Sequence, residues 1–174
     1  MSGQAGRYQR SVAGMVGSML ILVLVVGGFM VLREANRTTP EATVETVDYA
    51  RTAEFAQEQV DFPIVQPRPL PDGWRATSVR FVPEPSSWHV GFLTDEDRYV
   101  GLEQARRSEQ KMVESYVDPE TVEGDPVQVD GDTWRTWTDE GGDTALTRTE
   151  DDVTTLVVGT PGEDVLADFA ATLR

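Results

Sequence analysis

An uninterrupted apolar run near the N-terminus constrains this chain more than any other feature. Residues 12–32 read VAGMVGSMLILVLVVGGFMVL and contain no charged side chain. As a helix, these 21 residues extend about 31 Å, which matches the roughly 30 Å hydrocarbon core of a bilayer. A single segment in lipid satisfies its backbone polar groups only as a helix. The run therefore predicts one transmembrane helix after a short tail, residues 1–11.

A cleaved secretory signal is the alternative interpretation of this run. Arg7 and Arg10 would suit its basic start. However, the run is longer than the usual apolar region of about 7–15 residues, and no small-residue cleavage pattern follows it. A retained anchor is favoured. Because long domains cross the membrane largely regardless of charge, we expect a cytoplasmic N-terminus and an extracytoplasmic C-terminal domain.

Small residues repeat at spacings of four within the run. Gly14 and Ser18 form one such pair, and Ala13 and Gly17 form another. Small residues at this spacing allow helices to approach closely in membranes. The helix packing residues are therefore predicted to be Gly14, Gly17 and Ser18, with a weak homodimer as the expected result. Residues 33–45 are polar and are predicted to form a stalk.

The charge distribution limits the classes of partner. The formal net charge is −15, and all 30 acidic residues follow residue 32. Phosphate backbones and anionic headgroups should both repel such a domain, so nucleic acid is excluded as a partner. The expected partners are the bilayer, through residues 12–32, and another membrane or envelope protein. The chain contains no cysteine, which excludes disulfides and thiol catalysis.

Residues 46–174 alternate between helical and strand patterns. Residues 46–60 carry apolar side chains at helical spacing, with Thr46 as the expected cap. From Trp74 onward the apolar period becomes two, and acidic, glycine or proline turns separate the segments. A short helix is expected near 109–116. The predicted strands are 74–82, 88–93, 98–104, 126–129, 133–138, 144–149 and 153–158, joined as an antiparallel meander.

The C-terminal segment predicts a capped amphipathic helix. Thr160 and Glu163 have capping-box spacing, with Pro161 at the first helical position. Its apolar face comprises Val165, Leu166, Phe169, Ala170 and Leu173. The predicted fold class is α+β: a transmembrane helix, then an antiparallel sheet domain flanked by an N-terminal and a C-terminal amphipathic helix.

No motif for a known catalytic chemistry is present. His89 is the one histidine, and no nucleophile-elbow sequence accompanies it. The sequence also lacks the common zinc, P-loop and dinucleotide motifs. The acidic turns at Asp130-Gly131-Asp132 and at 139–143 lack EF-hand spacing and are typical of hairpin turns. No catalytic residue, cofactor or metal site is therefore predicted.

Aromatic and polar side chains within the predicted strands are candidates for a ligand or partner surface. Trp134 and Trp137 should face opposite sides of the sheet, because their positions differ by an odd number. The interpretation as core packing stays open for most of the aromatic residues. The candidate surface residues are Trp88, Tyr99, Glu103, Gln104 and Trp137.

Several short motifs give the chain a family resemblance. They include Leu70-Pro71-Asp72-Gly73-Trp74-Arg75, Tyr99-Val100-Gly101-Leu102-Glu103-Gln104 and Thr138-Asp139-Glu140-Gly141-Gly142, in this order after the apolar run. This arrangement resembles actinobacterial single-pass membrane proteins of the uncharacterised domain-of-unknown-function family 4245. The resemblance implies a location at the membrane and brings no activity or cofactor.

Three functions remain open. The first is a non-catalytic extracytoplasmic module that binds or scaffolds in the cell envelope. The second is a carboxylate-dependent hydrolase around Glu103, which a deep pocket holding Glu103 and a second acid would favour. The third is a sensor that signals through a membrane partner, which strong dimerisation through Gly14 and Gly17 would favour.

Overall fold

The computed structural model describes residues 16–17, 19–27 and 46–174. The chain divides into two compact units, Met1–Thr43 and Val44–Arg174. Each unit is described by itself.

The described residues of the first unit contradict one part of the predicted fold class, the transmembrane helix. The described residues 16–17 and 19–27 are helical. No helix within the described ranges is long and apolar enough to cross a membrane. The predicted transmembrane helix over 12–32 is therefore wrong as part of the fold class. Gly14 and Ser18, the tail 1–11 and the stalk 33–45 lie outside the described residues.

The second unit is built on an antiparallel sheet of eight strands. Valine, threonine and aromatic residues at alternating positions suit these strands. The strands are β1 Arg75–Pro83, β2 Ser86–Leu93, β3 Tyr99–Ala105, β4 Val122–Glu123, β5 Val127–Val129, β6 Asp132–Thr138, β7 Thr144–Glu150 and β8 Val153–Gly159. Their order in the sheet is β1-β2-β3-β8-β7-β6-β4, and β5 also pairs with β6.

The strand order differs from the predicted single meander. Two meanders, β1-β2-β3 and β6-β7-β8, are joined by pairing between β3 and β8. Short turns specify each meander locally. For example, Asp151 and Asp152 both have positive φ, 47° and 69°, as a two-residue type I′ hairpin requires. The central β3–β8 pair joins strands that are distant in sequence, so no turn motif predicts it.

Three helices accompany the sheet: α1 Tyr49–Gln57, α2 Glu109–Tyr116 and α3 Glu163–Ala170. The cap of α1 is Asp48, whose carboxylate accepts a hydrogen bond from the backbone N–H of Arg51 at 3.2 Å. The predicted cap Thr46 is therefore wrong. The predicted short helix at 109–116 is confirmed.

The predicted capping box of α3 is also wrong. Gly162 is the N-cap, and no side chain caps the helix. The backbone N–H of Thr160 instead donates to the carbonyl of Tyr99 at 3.3 Å, so Thr160 extends the pairing of β8 with β3. Most of the apolar face is confirmed, because Leu166, Phe169 and Ala170 are buried and Leu173 packs against the same core. Val165, the fifth predicted member, is half-buried.

The two faces of the sheet pack differently. On one side, which we call the α1/α3 face, residues such as Val90, Leu102 and Val157 form the main core beneath α1 and α3. On the opposite side, the α2 face, a smaller cluster forms where Met112 and Val113 cover the half of the sheet around β7 and β8. Both clusters follow from the alternation of side chains along each strand.

Candidate functional site

A cavity of about 310 Å³ opens on the α1/α3 face. Its walls come from residues near the end of α1, the turns between β5 and β6 and between β7 and β8, and the end of α3. Gln104 and Thr155, which are paired across β3 and β8, line it. The cavity therefore lies over the strand pair that joins the two meanders.

Part of the cavity lining is buried and apolar. Trp134 is 3 % exposed and Phe62 is 6 % exposed, and Val129 and Val153 are similarly buried beside them. Trp134 faces this side because alternate residues of a strand share a face. Large apolar walls with a few polar groups are typical of small-molecule sites.

Charged side chains surround the mouth of the cavity. Its five acidic residues are Asp61, Asp130, Asp132, Glu150 and Asp151. Its three arginines are all paired with these acids: Arg106 with Asp61 at 3.0 Å, Arg174 with Asp130 at 3.1 Å, and Arg148 with both Asp132, at 2.6 Å, and Glu150. Exposed pairs of this kind stabilise a fold by only about 0–1 kcal/mol each. Their main consequence here is a rim with a negative balance of charge.

Two of the predicted surface residues are buried and hold one wall of the cavity. Trp88 is fully buried, and its Nε1 donates to the carbonyl of Val65 at 3.0 Å. Gln104 accepts from the backbone N–H of Val65 at 3.2 Å and donates to the carbonyl of Pro63 at 2.9 Å. These bonds satisfy backbone groups at the start of an extended segment, whose later residues pair with the C-terminus around Pro67 and Leu173. Of the five predicted residues, Gln104 lines the cavity.

Tyr99 and Glu103 lie on the opposite, α2 face. Glu103 is 3 % exposed, and its carboxylate contacts Nδ1 of His89. The ring of Tyr99 lies against the backbone of β2 and β3: a Cβ added at Gly101 would come within 2.9 Å of its Oη. Burial raises the pKa of Tyr99, the charge of Glu103 raises it further, and Arg80 opposes both.

Trp137 shares the α2 face but lies in the other meander. Its Nε1 donates to Oγ1 of Thr147 at 2.7 Å, and the guanidinium of Arg135 lies 5.3 Å from its ring centroid. The five predicted residues therefore do not form one continuous surface. The charged rim was not predicted, since its acids appear in the sequence as ordinary turn residues.

The acidic turns serve as turns in the structure. Asp130 and Gly131 have φ of 54° and 93°, which gives the hairpin between β5 and β6 the same type I′ form as the turn between β7 and β8. In the part of the chain that the structure describes, no three acidic or histidine side chains are grouped to hold a metal ion.

Comparison with known sequences places the chain in a family. No curated protein sequence matches it. A family model described as "Protein of unknown function (DUF4245)" matches residues 7–173, which is nearly the whole chain. The resemblance drawn from the sequence motifs is thereby confirmed at the level of the family, and the protein belongs to the DUF4245 family.

Proposed function

We propose that the second unit is a ligand-binding module and that the cavity on the α1/α3 face is its non-catalytic binding site. The observation that carries the proposal is the combination of a buried apolar interior with a charged mouth. Apolar walls supply most of the burial of a small ligand, and a few charged groups fix its orientation.

The charge of the rim favours a cationic ligand. All three arginines of the rim are already paired with acids, which outnumber them. The protein as a whole carries a formal charge of −15, so its field attracts cations. The chemical class that fits is a compact molecule with an apolar ring and one amine, or the side chain of a cationic peptide residue.

Two matched probes test this class. 2-Phenylethylamine and 3-phenylpropionate share an aromatic ring and differ in the sign of their charge. We expect the amine to raise the melting temperature of the protein and to change the fluorescence of Trp134, which borders the cavity. An equal response to both probes, or to neither, would contradict the proposal.

Two variants test whether the amine binds in the cavity. Thr155→Phe should fill the cavity and abolish the response to the amine. Asp151→Asn should weaken the response, because it removes a rim charge at an exposed turn. Asp125→Asn is the matched control, since Asp125 is exposed and does not line the cavity. Loss of binding in the control would mean that general attraction, rather than the cavity, binds the amine.

The paired-carboxylate hydrolase gains no support from this geometry. That hypothesis requires Glu103 to share a deep pocket with a second acid. Glu103 does not line the cavity and faces His89 on the other side of the sheet.

The location outside the cytoplasm and the sensor function stay predictions. Protease protection in intact and detergent-treated cells checks the location: the domain should be digested before the membrane is dissolved.

A further inference from the structure

Three polar side chains on the α2 face form a continuous line across neighbouring strands. Ser78 on β1 lies with its Oγ 3.0 Å from Nε2 of His89 on β2. Nδ1 of the same ring contacts a carboxylate oxygen of Glu103 on β3. Ser78 is exposed, the side chain of His89 is 15 % exposed, and that of Glu103 is 4 % exposed. The line therefore runs from solvent to a buried carboxylate.

A β-bulge brings Ser78 to this position. Ala76 pairs with Phe92, but Ser78 pairs with Gly91, so β1 has one extra residue at Thr77. With uninterrupted pairing, Ser78 would lie opposite Val90, whose side chain is in the main core. A one-residue shift moves side chains to the other face of a sheet. The bulge thus places the hydroxyl beside His89 instead of in the core.

The hydrogen-bonding capacities of the three groups give the line a direction. An ionised carboxylate only accepts hydrogen bonds, so Glu103 requires the proton of a neutral His89 to be on Nδ1. Nε2 is then an acceptor and faces the hydroxyl of Ser78. A hydroxyl, an imidazole and a carboxylate in this order form the arrangement that activates a serine as a nucleophile, whatever the fold.

The surroundings of Ser78 supply a positive charge and an aromatic surface. Arg80 follows two residues later on the same face and pairs with His89 in the register. Its charge lowers the pKa of both Tyr99 and Tyr116, although burial keeps both above the usual value. Tyr99 is 40 % exposed, and its ring lies beside the backbone at Gly91. An ester with a flat acyl or aryl group fits against this ring.

We infer that Ser78, His89 and Glu103 form an acyl-transfer site that hydrolyses small carboxylic esters. Oγ of Ser78 attacks the ester carbonyl and passes its proton to Nε2 of His89. The bond from the carbonyl carbon to the leaving oxygen then breaks, and His89 donates the proton to that oxygen. Water attacks the acyl-serine with His89 as base, which releases the acid and restores the hydroxyl. Glu103 is a positioning residue, and Arg80 stabilises the developing oxyanion.

A covalent probe gives the direct test. A fluorophosphonate reacts with activated serines, and mass spectrometry of the full-length protein identifies the labelled residue. We expect labelling at Ser78 and none in Ser78→Ala, with hydrolysis of p-nitrophenyl acetate lost in the same variant. Ser87→Ala is the matched control, because Ser87 lies on the same strand as His89 two residues away. His89→Gln should slow labelling by at least about 100-fold.

Two further variants separate activation from structure. A Cβ added at Gly91 would lie 2.5 Å from Oγ of Ser78, so Gly91→Ala should displace the hydroxyl and suppress labelling while all three residues remain. Glu103→Gln should slow labelling and remove a strongly downfield Nδ1 proton from the NMR spectrum, and Glu103→Asp should restore part of both.

Three results would overturn the inference. The first is an unlabelled wild-type protein. The second is equal labelling of Ser78 and Ser87. The third is ester hydrolysis that persists in Ser78→Ala and disappears only in His89→Gln, which would make the histidine the nucleophile. None of these results depends on ligand binding in the cavity on the other face.

Discussion

The two faces of the sheet use the same strands for different purposes. On the α1/α3 face, Trp88 and Leu102 are fully buried beneath two helices and an extended segment. On the α2 face, their neighbours His89 and Glu103 form a polar pair, and α2 covers mainly the other meander. One side of each strand therefore stabilises the domain, while the other side is left for polar chemistry over β1 to β3.

The difference between the two faces predicts where substitutions should be tolerated. A strand alternates its side chains between the two faces, so neighbouring residues can differ greatly in their contribution to stability. We expect substitutions to lower stability most on the α1/α3 face, by an intermediate amount beneath α2, and least elsewhere. Stability measurements on variants of both faces test this ranking.

The largest loss should come from Phe169→Ala. Phe169 is 1 % exposed and stacks on Trp74 at a centroid distance of 5.1 Å, with Phe92 at 5.2 Å on another side. Removing a buried phenylalanine costs about 3–5 kcal/mol. Chemical denaturation of the full-length protein measures the loss. A change below about 1 kcal/mol would show that α3 is a loose attachment.

Met112→Ala should lower stability less than Phe169→Ala does, and its effect should be concentrated near α2. Met112 is fully buried, but its cluster is the smaller one. We expect a loss near the lower end of about 2–5 kcal/mol, since neighbouring side chains can move into the space. Hydrogen exchange should show the strongest effect in α2 itself. If Met112→Ala costs as much as Phe169→Ala, the two faces are equally important for stability.

Asp48→Ala and Thr160→Ala form a matched pair of cap variants. Asp48 caps α1, so its replacement by alanine should lower the free energy of unfolding by about 1 kcal/mol. The side chain of Thr160 caps no helix, so Thr160→Ala should change stability by no more than about 0.5 kcal/mol. Thermal melts of both variants check the difference. Equal losses of stability would show that the side chain of Thr160 does cap α3 in solution.

The smallest expected effect is a loss of stability at alkaline pH. Burial raises the pKa of Tyr116, and the charge of Glu103 and a hydrogen bond to it raise it further, against the opposing charge of Arg107. Above the ordinary tyrosine value of 10.0, the unfolded chain loses a proton that the folded protein keeps. Stability should therefore fall as the pH rises from 10.0 towards the higher folded pKa.

Tyr116→Phe supplies the comparison for this effect. It should make the fall shallower without abolishing it, because the pKa values of Tyr49 and Tyr99 are also raised, mainly by burial. Denaturation at about pH 9 and about pH 11 measures the slope. An unchanged slope in the variant would mean that Tyr116 titrates normally.

The local elements of the fold could be predicted from the sequence, and the non-local ones could not. The predicted strand 98–104 is observed as Tyr99–Ala105, and α2 was predicted at its observed bounds. Alternation and turn residues specify such elements. The two-residue strand β4 is too short to give a period. The β3–β8 pair joins distant segments, and the bulge at Thr77 interrupts the register of two neighbouring strands. No local pattern encodes either of them.

The cavity and the line of polar residues were less predictable for the same reason. Gln104 was a candidate and lines the cavity, but its acidic rim comes from turns that are separated in sequence. His89 and Glu103 were both considered individually. Their contact depends on the register of β2 and β3, and that of Ser78 depends on the bulge. Sequence spacing alone gives neither register.

The central β3–β8 pair has a consequence for the kinetics of folding. Each meander forms through short turns and can close quickly, whereas Ala105 must find Thr154 across a long intervening chain. The pairing of the meanders should therefore be the late step, and Gln104 and Thr155 meet only then. A molecule bound in the cavity contacts both halves and so recognises the completed domain. Binding should slow unfolding while leaving the early folding rate unchanged.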